Sequence, residues 1–193
     1  MSDDADGEVD ELPVVDGSIY GAASFATGYL ATLLLVLFFE DESPADGLIE
    51  SAGWIYYNAQ FVAIEHRDFA GPETGGGFDS INYLTGQGMG QTEVAIQLSA
   101  AIYHAVPVLA LVTGGFVLAR TLGTTDVVRG VKVGASITFG VVLVALGGTY
   151  LFEVGNALGP DRIYGVLLAG LAYPLVCGGA GGALAVVTDR YLG

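Results

Sequence analysis

The stretch that decides the fold is GSIYGAASFATGYLATLLLVLFF, residues 17–39, which contains no charged residue. A helix needs about 20 apolar residues to cross the hydrocarbon core of a bilayer, and this run is long enough. A secretory signal peptide would begin with basic residues and have a shorter apolar region, whereas this run follows Asp10, Glu11 and Asp16. We therefore predict a retained transmembrane helix over residues 17–39.

Three further apolar runs follow this helix. They lie within residues 94–119, 131–152 and 163–188, with Lys132 at the entrance of the middle run and Glu153 at its exit. Short connections between these runs make neighbouring spans antiparallel. The pattern predicts an all-α membrane protein with four transmembrane helices, and with an amphipathic, interfacial helix and a Gly-rich loop between helices 1 and 2.

The predicted organisation assigns every part of the chain to a span, a loop or a tail. It comprises an acidic disordered N-terminal tail (1–16), four spans (17–39, 97–119, 131–152 and 163–187), an external segment (40–93), a cytoplasmic loop (120–130), an external turn (153–162) and a C-terminal tail (188–193).

The composition excludes an ordinary soluble domain. Hydrophobic residues make up 52% of the chain and charged residues only 14%, and the mean hydropathy is +0.59. Soluble domains usually have about 25% charged residues. The net charge is −15, and a polyanionic surface disfavours nucleic acid but is tolerated in molar salt, where the screening length shrinks to about 3 Å. We therefore expect no nucleic-acid partner and a high-salt environment.

The orientation follows from the basic residues in short loops, which collect on the cytoplasmic side of a membrane. If the four helices alternate, one side carries Arg120, Arg129, Lys132 and Arg190, and the other carries Arg67 and Arg162. This asymmetry predicts a multi-pass protein of the cell membrane with both termini in the cytoplasm.

The external segment contains a second kind of helix. Leu48, Ala52, Ile55 and Ala59 share one helical face, which predicts a helix over residues 46–62 that begins near Asp46. Aromatic residues in this helix are of the types that collect at the membrane–water boundary; they are Trp54, Tyr56, Tyr57 and Phe61. The segment is expected to lie on the outer surface of the bilayer, or alternatively to form an aromatic lid over a cavity between the spans.

Polar groups at membrane depth are the candidates for a functional site. His104 lies in the second span beside Tyr103, and Pro107 cannot donate a hydrogen bond to the carbonyl of Tyr103. Tyr173 and Pro174 repeat this pairing in the fourth span. One interpretation is a polar path lined by these five residues, and the other is that His104 packs the bundle in its neutral form.

Glycine spacing indicates where helices approach closely. Gly178 and Gly182 form a Gly-x-x-x-Gly pair in the middle of the fourth span, a pattern that lets two helix backbones come together. We predict that this pair packs against another helix, either in a homo-oligomer or with partner membrane helices, in addition to contact with the lipid bilayer.

Sequence patterns for catalysis, cofactors and metals are missing. Gly75, Gly76 and Gly77 are not followed by the Gly-Lys-Ser/Thr of a phosphate-binding loop. Glu65, His66 and Asp68 lie too close together on one stretch to converge on a metal ion. We therefore predict no enzymatic activity, no cofactor and no metal site.

Two segments carry a resemblance to known proteins. They are Trp-Ile-Tyr-Tyr-Asn-Ala-Gln-Phe-Val at 54–62 and Leu-Leu-Ala-Gly-Leu-Ala-Tyr-Pro at 167–174. With its acidic tail and three closely spaced later spans, the chain resembles a group of small, uncharacterised membrane proteins of halophilic archaea, some of them labelled as transporters. The resemblance covers most of the chain and implies a halophilic origin, but it brings no site residues with it.

Two functions are compatible with these patterns. The first is a small transporter-like protein or transporter subunit, with a solute path beside His104. The second is a non-catalytic structural or interaction protein that packs with partner helices.

Overall fold

The computed structural model describes residues 12–41, 44–66, 80–86, 96–155 and 158–192. Within these residues, four helices are long and apolar enough to cross a membrane, as predicted; they are Val14–Phe39, Ala100–Thr121, Val127–Leu151 and Arg162–Tyr191. Most of the predicted N-terminal tail and of the predicted glycine-rich loop lies outside the described residues.

Two of the four spans are interrupted. The elements, in chain order, are α1 (Val14–Phe39), α2 (Leu48–Asn58), β1 (Ile64–His66), β2 (Ser80–Ile81), α3 (Ala100–Thr121), α4 (Val127–Ala135), α5 (Thr138–Leu151), β3 (Leu158–Pro160), α6 (Arg162–Tyr164), a π-helical stretch (Gly165–Ala172) and α7 (Tyr173–Leu192). The third span therefore consists of α4 and α5, and the fourth consists of α6, the π-helical stretch and α7.

Pro174 explains where the π-helical stretch ends. Proline has no backbone N–H and cannot bond to the carbonyl four residues earlier, which is that of Gly170. The N–H of Tyr173 donates instead to the carbonyl of Leu168, five residues earlier. The sequence predicts a kink at this position, and the structure shows a widened helical segment before the proline.

A small antiparallel sheet departs from the all-α prediction. β1 is the central strand, with Ile64 opposite Ile81 of β2 on one side and Pro160 of β3 on the other. Strands of two or three residues are too short to show the alternation of apolar and polar residues that reveals a strand. The sheet ties the segment after α2 to the turn between the third and fourth spans.

We call the end of the bundle that carries this sheet the plug end. Phe39, Ala100, Leu151 and Arg162 lie at the span termini of this end, because the four spans alternate in direction. The opposite end carries an exposed ion pair between Arg120 and Asp189.

Glycine contacts hold the spans together away from the plug end. A Cβ atom on Gly115 or Gly134 would collide with the backbone carbonyl of Gly178, so α3, α4 and α7 meet at this one residue. Gly182 meets Gly130 of α4 in the same way. The predicted packing pair, Gly178 and Gly182, therefore lies against helices of its own chain, where small residues let the backbones touch.

Candidate functional site

The helix α2 lies inside the bundle. All ten residues from Ser51 to Gln60 are buried, and α2 contacts α1, α3 and β3. The structure therefore places Trp54, Tyr56 and Tyr57 in the protein interior, instead of at the membrane surface where their residue types predicted them. An apolar helix that is buried on all sides has no lipid-facing or water-facing side. We call α2 the plug helix.

Two side chains of the plug helix are anchored to backbone carbonyls of the third span. The indole nitrogen Nε1 of Trp54 donates to the carbonyl of Phe152 over 2.7 Å, and the hydroxyl of Tyr57 donates to the carbonyl of Ala145. The ring of Tyr83 stacks on Trp54 with a centroid distance of 6.2 Å. The plug helix is thus fixed both by apolar contact and by hydrogen bonds that the hydrophobic environment makes costly to lose.

Tyr56 reaches the middle of the bundle. Its hydroxyl occupies the space that a Cβ atom on Gly28 would need, and its ring meets Phe25 edge-on at a centroid distance of 5.0 Å. Gly28 lies eleven residues before Phe39, which corresponds to a depth of about 16 Å along α1. Burial raises the pKa of the Tyr56 hydroxyl well above its usual value, so this group keeps its proton.

Asn58 connects the end of the plug helix to the surrounding loops. Its Nδ2 donates to the carbonyl of Val62, and its Oδ1 accepts from the N–H of Tyr83, each over 2.8 Å. Asn82 donates to the carbonyl of Asn58 and accepts from the N–H of Leu84. Because Asn58 is fully buried, these bonds also satisfy polar groups that water cannot reach.

The carboxyl end of the plug helix brings together two of the predicted path residues. The carbonyl of Ala59 lies 2.7 Å from Nδ1 of His104 and 3.4 Å from the hydroxyl of Tyr173. A carbonyl only accepts hydrogen bonds, so Nδ1 of His104 must carry a proton. We call this contact of α2, α3 and α7 the Ala59 junction.

Phe61 covers the Ala59 junction in an unusual conformation. Its φ of +60° lies in the left-handed region that residues with a side chain rarely adopt. The side chain is 58% exposed, and its ring stacks on the imidazole of His104 at a centroid distance of 4.8 Å. Backbone strain of this kind is more common at functional sites than elsewhere.

Tyr103 does not join the Ala59 junction. Its hydroxyl donates to a carboxylate oxygen of Glu40 over 2.7 Å, and Glu40 also accepts from the backbone N–H groups of Gln97 and Leu98. This carboxylate ties the end of α1 to the start of α3. Sequence reasoning missed Glu40 because it directly follows a span, whereas the search considered ionisable groups inside spans.

Pro107 and Pro174 are both buried, and neither contacts the Ala59 junction through a hydrogen bond, since proline has no donor. The hydrogen bonds of the junction run to the carbonyl of Ala59 and not to the carbonyls of Tyr103 and Gly170, to which these prolines cannot donate. The junction uses a carbonyl at the end of α2 instead.

Three buried oxygen atoms near the plug helix have no hydrogen-bond partner among the residues that the structure describes. They belong to the side chains of Thr32, Tyr56 and Gln60, and all three residues are fully buried. Nε2 of Gln60 donates to the carbonyl of Tyr56, so the atom without a partner is its amide oxygen Oε1. An unpaired buried polar atom costs about 1–3 kcal/mol, and sequence reasoning had no means to find these atoms.

The metal ligands considered from the sequence, Glu65, His66 and Asp68, lie partly outside the residues that the structure describes. Glu65 and His66 lie in β1, whereas Asp68 is outside the described residues. No group of three His, Cys, Asp or Glu side chains among the described residues could hold a metal ion.

A groove of about 400 Å³ lies between α1 and α3 on the side of the bundle. Its lining is mostly apolar, with several small residues; these include Ala23, Ser24, Thr27, Gly28, Ala31, Ala110, Thr113 and Gly114. The hydroxyls of Ser24 and Thr27, which line the groove, donate to carbonyls of their own helix.

Comparison with known proteins gives a family but no activity. The model of a family described as "Family of unknown function (DUF7978)" matches residues 2–189. Neither the curated proteins nor the solved structures include a significant match.

Proposed function

The chain belongs to this family of unknown function (DUF7978), and we propose that it is a small transporter-like protein whose solute path is closed by the plug helix. Its four long apolar helices are those of a multi-pass integral membrane protein. The proposal includes no enzymatic step and no cofactor.

The observation that carries the proposal is the burial of the plug helix within the bundle. A helix of eleven residues is too short to cross a bilayer. Backbone of this kind is tolerated at membrane depth where it is buried in protein or lines a cavity, as in the re-entrant loops and broken helices of channels and transporters. A purely structural bundle could be filled by side chains of the spans themselves.

The Ala59 junction supports the position of the path. The junction holds the carboxyl end of the plug helix by one hydrogen bond from His104 and a longer one from Tyr173. These two hydrogen bonds tie this end of the helix to α3 and α7, and both must break for it to move away from those spans. The path then runs past His104 and Tyr173, and Pro107 and Pro174 shape the two helices that carry them.

The acidic, lysine-poor composition supports a high-salt setting for this function. The 21 acids and 6 bases give a surface that repels itself at low ionic strength, and molar salt screens this repulsion. A halophilic archaeal source and a cytoplasmic position of both termini form part of the same proposal.

The test is a flux measurement with a reversible disulfide lock on the plug segment, which comprises residues 48–66 and the strand β2 (Ser80–Ile81). Glu65 and Gly159 are register partners between β1 and β3, so cysteines at both positions can form a disulfide that ties the plug segment to the turn before the fourth span. Purified Cys177→Ser protein with Glu65→Cys and Gly159→Cys is placed in liposomes at high salt with a panel of small solutes. We expect flux in reducing buffer, its loss on oxidation and its return on reduction.

The matched control is a disulfide within the plug segment itself. Glu65 also pairs with Ser80 of β2, so Glu65→Cys with Ser80→Cys adds a similar bond that leaves the fourth span free. This control should transport in both redox states. Flux no higher than in empty liposomes across the panel would refute the proposal, and flux insensitive to the β1–β3 lock would refute the role of the plug helix.

A second candidate function rests on the groove between α1 and α3. Ala23, Thr27 and Ala31 are spaced four residues apart along one side of it, a pattern that accommodates another helix closely. In this case the chain is a non-catalytic interaction protein, and a second copy fills the groove. Thr27→Leu should then abolish a crosslinked dimer, while Leu37→Ala, outside the groove, should not. A chain that remains monomeric in its membrane would exclude this candidate.

A further inference from the structure

The interior of the plug end holds a set of oxygen atoms that the fold does not use. Thr32, Tyr56 and Gln60 each place one buried side-chain oxygen where none of the described residues provides a hydrogen bond and solvent does not reach. In the hydrocarbon region of a membrane, water cannot compensate for such groups as it does at a surface. Three of them on two adjacent elements, α1 and the end of the plug helix, indicate a site that a ligand completes.

The position of Thr32 can be derived from its neighbours on α1. Gly28, Thr32 and Val36 are four residues apart and so share one face of the helix. Gly28 meets the Tyr56 hydroxyl, and Val36 packs in one cluster with Ala52, Ile55 and Ala59 of the plug segment. Thr32 therefore faces the plug segment between these two contacts.

The chemistry of these atoms selects the charge of the ligand. Oε1 of Gln60 is an acceptor only, and its identity is fixed because Nε2 donates to the carbonyl of Tyr56. The Thr32 and Tyr56 hydroxyls can also present lone pairs. Gln60 follows the carboxyl end of the plug helix, where the helix dipole adds partial negative charge. An oxygen-only site at the negative end of a helix suits a cation.

The site has no anionic side chain, and this determines whether it favours a monovalent or a divalent cation. None of the three side chains is ionisable to an anion at neutral pH, so the site offers only partial charges. Buried partial charges stabilise a single positive charge far better than a double one, which would remain largely uncompensated in the membrane. Glu40 and Asp41 carry negative charge at the plug end and attract cations, whereas Glu153 is paired with Arg162.

We propose that the oxygens of Thr32, Tyr56 and Gln60 bind a small monovalent cation, Na⁺ or K⁺, between α1 and the plug helix. This inference rests on the proposed function in one respect: the same cation is then the class of solute that the path carries. Binding itself is independent of transport and can be measured on purified protein.

The experiment measures thermal unfolding in detergent by circular dichroism at constant ionic strength. Sodium, potassium and choline chloride are compared, because choline screens charges equally but is too large for a buried site. We expect the melting temperature to be about 5 °C higher in sodium or potassium than in choline. The variants Thr32→Val and Tyr56→Phe, which remove one oxygen each at nearly constant volume, should lose this difference.

The variants also distinguish an occupied site from an empty one. If no ligand binds, removing an unsatisfied hydroxyl should raise the melting temperature equally in all three salts. If only water binds, the variants should lower it equally in all three salts. Either result would overturn the cation site and leave the proposed transport function standing with another solute. Conversely, cation-dependent melting without any flux would keep the site and overturn the transport function.

Discussion

The two halves of the bundle fill their interior in opposite ways. Away from the plug end, Gly115, Gly134 and Gly178 bring three spans into backbone contact, and there is no room for a side chain between them. At the plug end, the spans surround an entire extra helix, and its Trp54 and Tyr57 form part of the core. The glycine half is closed by backbone proximity, whereas the plug half is closed by a separate element that hydrogen bonds hold in place.

This difference indicates which half is able to change. Separating glycine-packed helices would lose close contact along their whole interface without any gain. The plug helix is held by individual hydrogen bonds, and it carries polar atoms that lack a partner in the described part of the chain. The stability of the protein is expected to depend mainly on the glycine half, and solute passage on the plug half.

The largest expected effect is a change in the glycine half. Gly134→Leu places a side chain against the carbonyl of Gly178, and overpacking of this kind costs about 3 kcal/mol or more because backbone cannot yield. Thermal unfolding in detergent and the yield of folded protein measure it. Gly147→Leu in the same span is the control, since nothing lies within 4 Å of a Cβ atom there. An equal loss of stability from Gly134→Leu and Gly147→Leu would show that close contact at Gly134 does not determine the effect.

The second-largest effect is expected from removing the hydrogen bonds of Asn58 in the plug half. Asn58→Ala removes the partners of the Val62 carbonyl and the Tyr83 N–H, and we expect a loss of about 2–3 kcal/mol from these two unpaired groups. Asn58→Asp keeps the acceptor for Tyr83 but places a buried carboxylate against the Val62 carbonyl, so its loss near neutral pH should exceed that of Asn58→Ala and should shrink at lower pH, where the protonated carboxyl group can donate to that carbonyl. Calorimetric unfolding in one detergent compares the three proteins. If Asn58→Ala left the free energy of unfolding unchanged, the hydrogen bonds of Asn58 would not contribute to stability.

A smaller effect compares the two neighbouring tyrosines of the plug helix. Tyr57→Phe removes the hydrogen bond to the Ala145 carbonyl, which should cost about 1 kcal/mol. Tyr56→Phe, measured in choline chloride, removes a hydroxyl that has no hydrogen-bond partner among the described residues, so it should not destabilise the protein and should stabilise it slightly. Urea unfolding of both variants gives the comparison. Equal destabilisation by both variants in choline would contradict the difference between anchored and unpaired hydroxyls.

The smallest effect concerns the strain at Phe61. Phe61→Ala and Phe61→Gly both remove the stack on His104, but only glycine relieves the positive φ. The glycine variant should therefore be more stable than the alanine variant by about 1 kcal/mol. Parallel melting curves of the two variants measure this difference. If alanine proved the more stable, the left-handed conformation of residue 61 would be ruled out.

Much of the bundle could be predicted from the sequence because hydropathy over about 20 residues is a local property. The runs around Leu30 and Leu146 can be identified as membrane spans from their own hydropathy, without reference to any other part of the chain. The plug helix could be predicted as a helix but not as a core element. Trp and Tyr favour both the membrane boundary and the protein interior, and only contacts with distant residues such as Phe152 decide between them.

The candidate site was predictable only in part. His104 and Tyr173 could be selected because polar groups at membrane depth are rare, and the structure brings both to the carbonyl of Ala59. The bond from Tyr103 to Glu40 and the unpaired oxygen of Thr32 depend on side-chain directions between separate elements. Residue type and spacing along one chain do not encode those directions.

The anchoring of Trp54 has a consequence for the order of events during biosynthesis. Its acceptor, the carbonyl of Phe152, is synthesised 98 residues later, and the β3 strand that pairs with β1 later still. When the first span has entered the membrane, the plug helix has no binding partner in the third span. The bond from Trp54 can form only after the third span has been synthesised, and the β1–β3 pairing only after residue 160. We therefore expect docking of the plug helix into the bundle to be the last step of assembly. A nascent chain shorter than about 160 residues lacks β3, the strand that pairs with β1 after the plug helix.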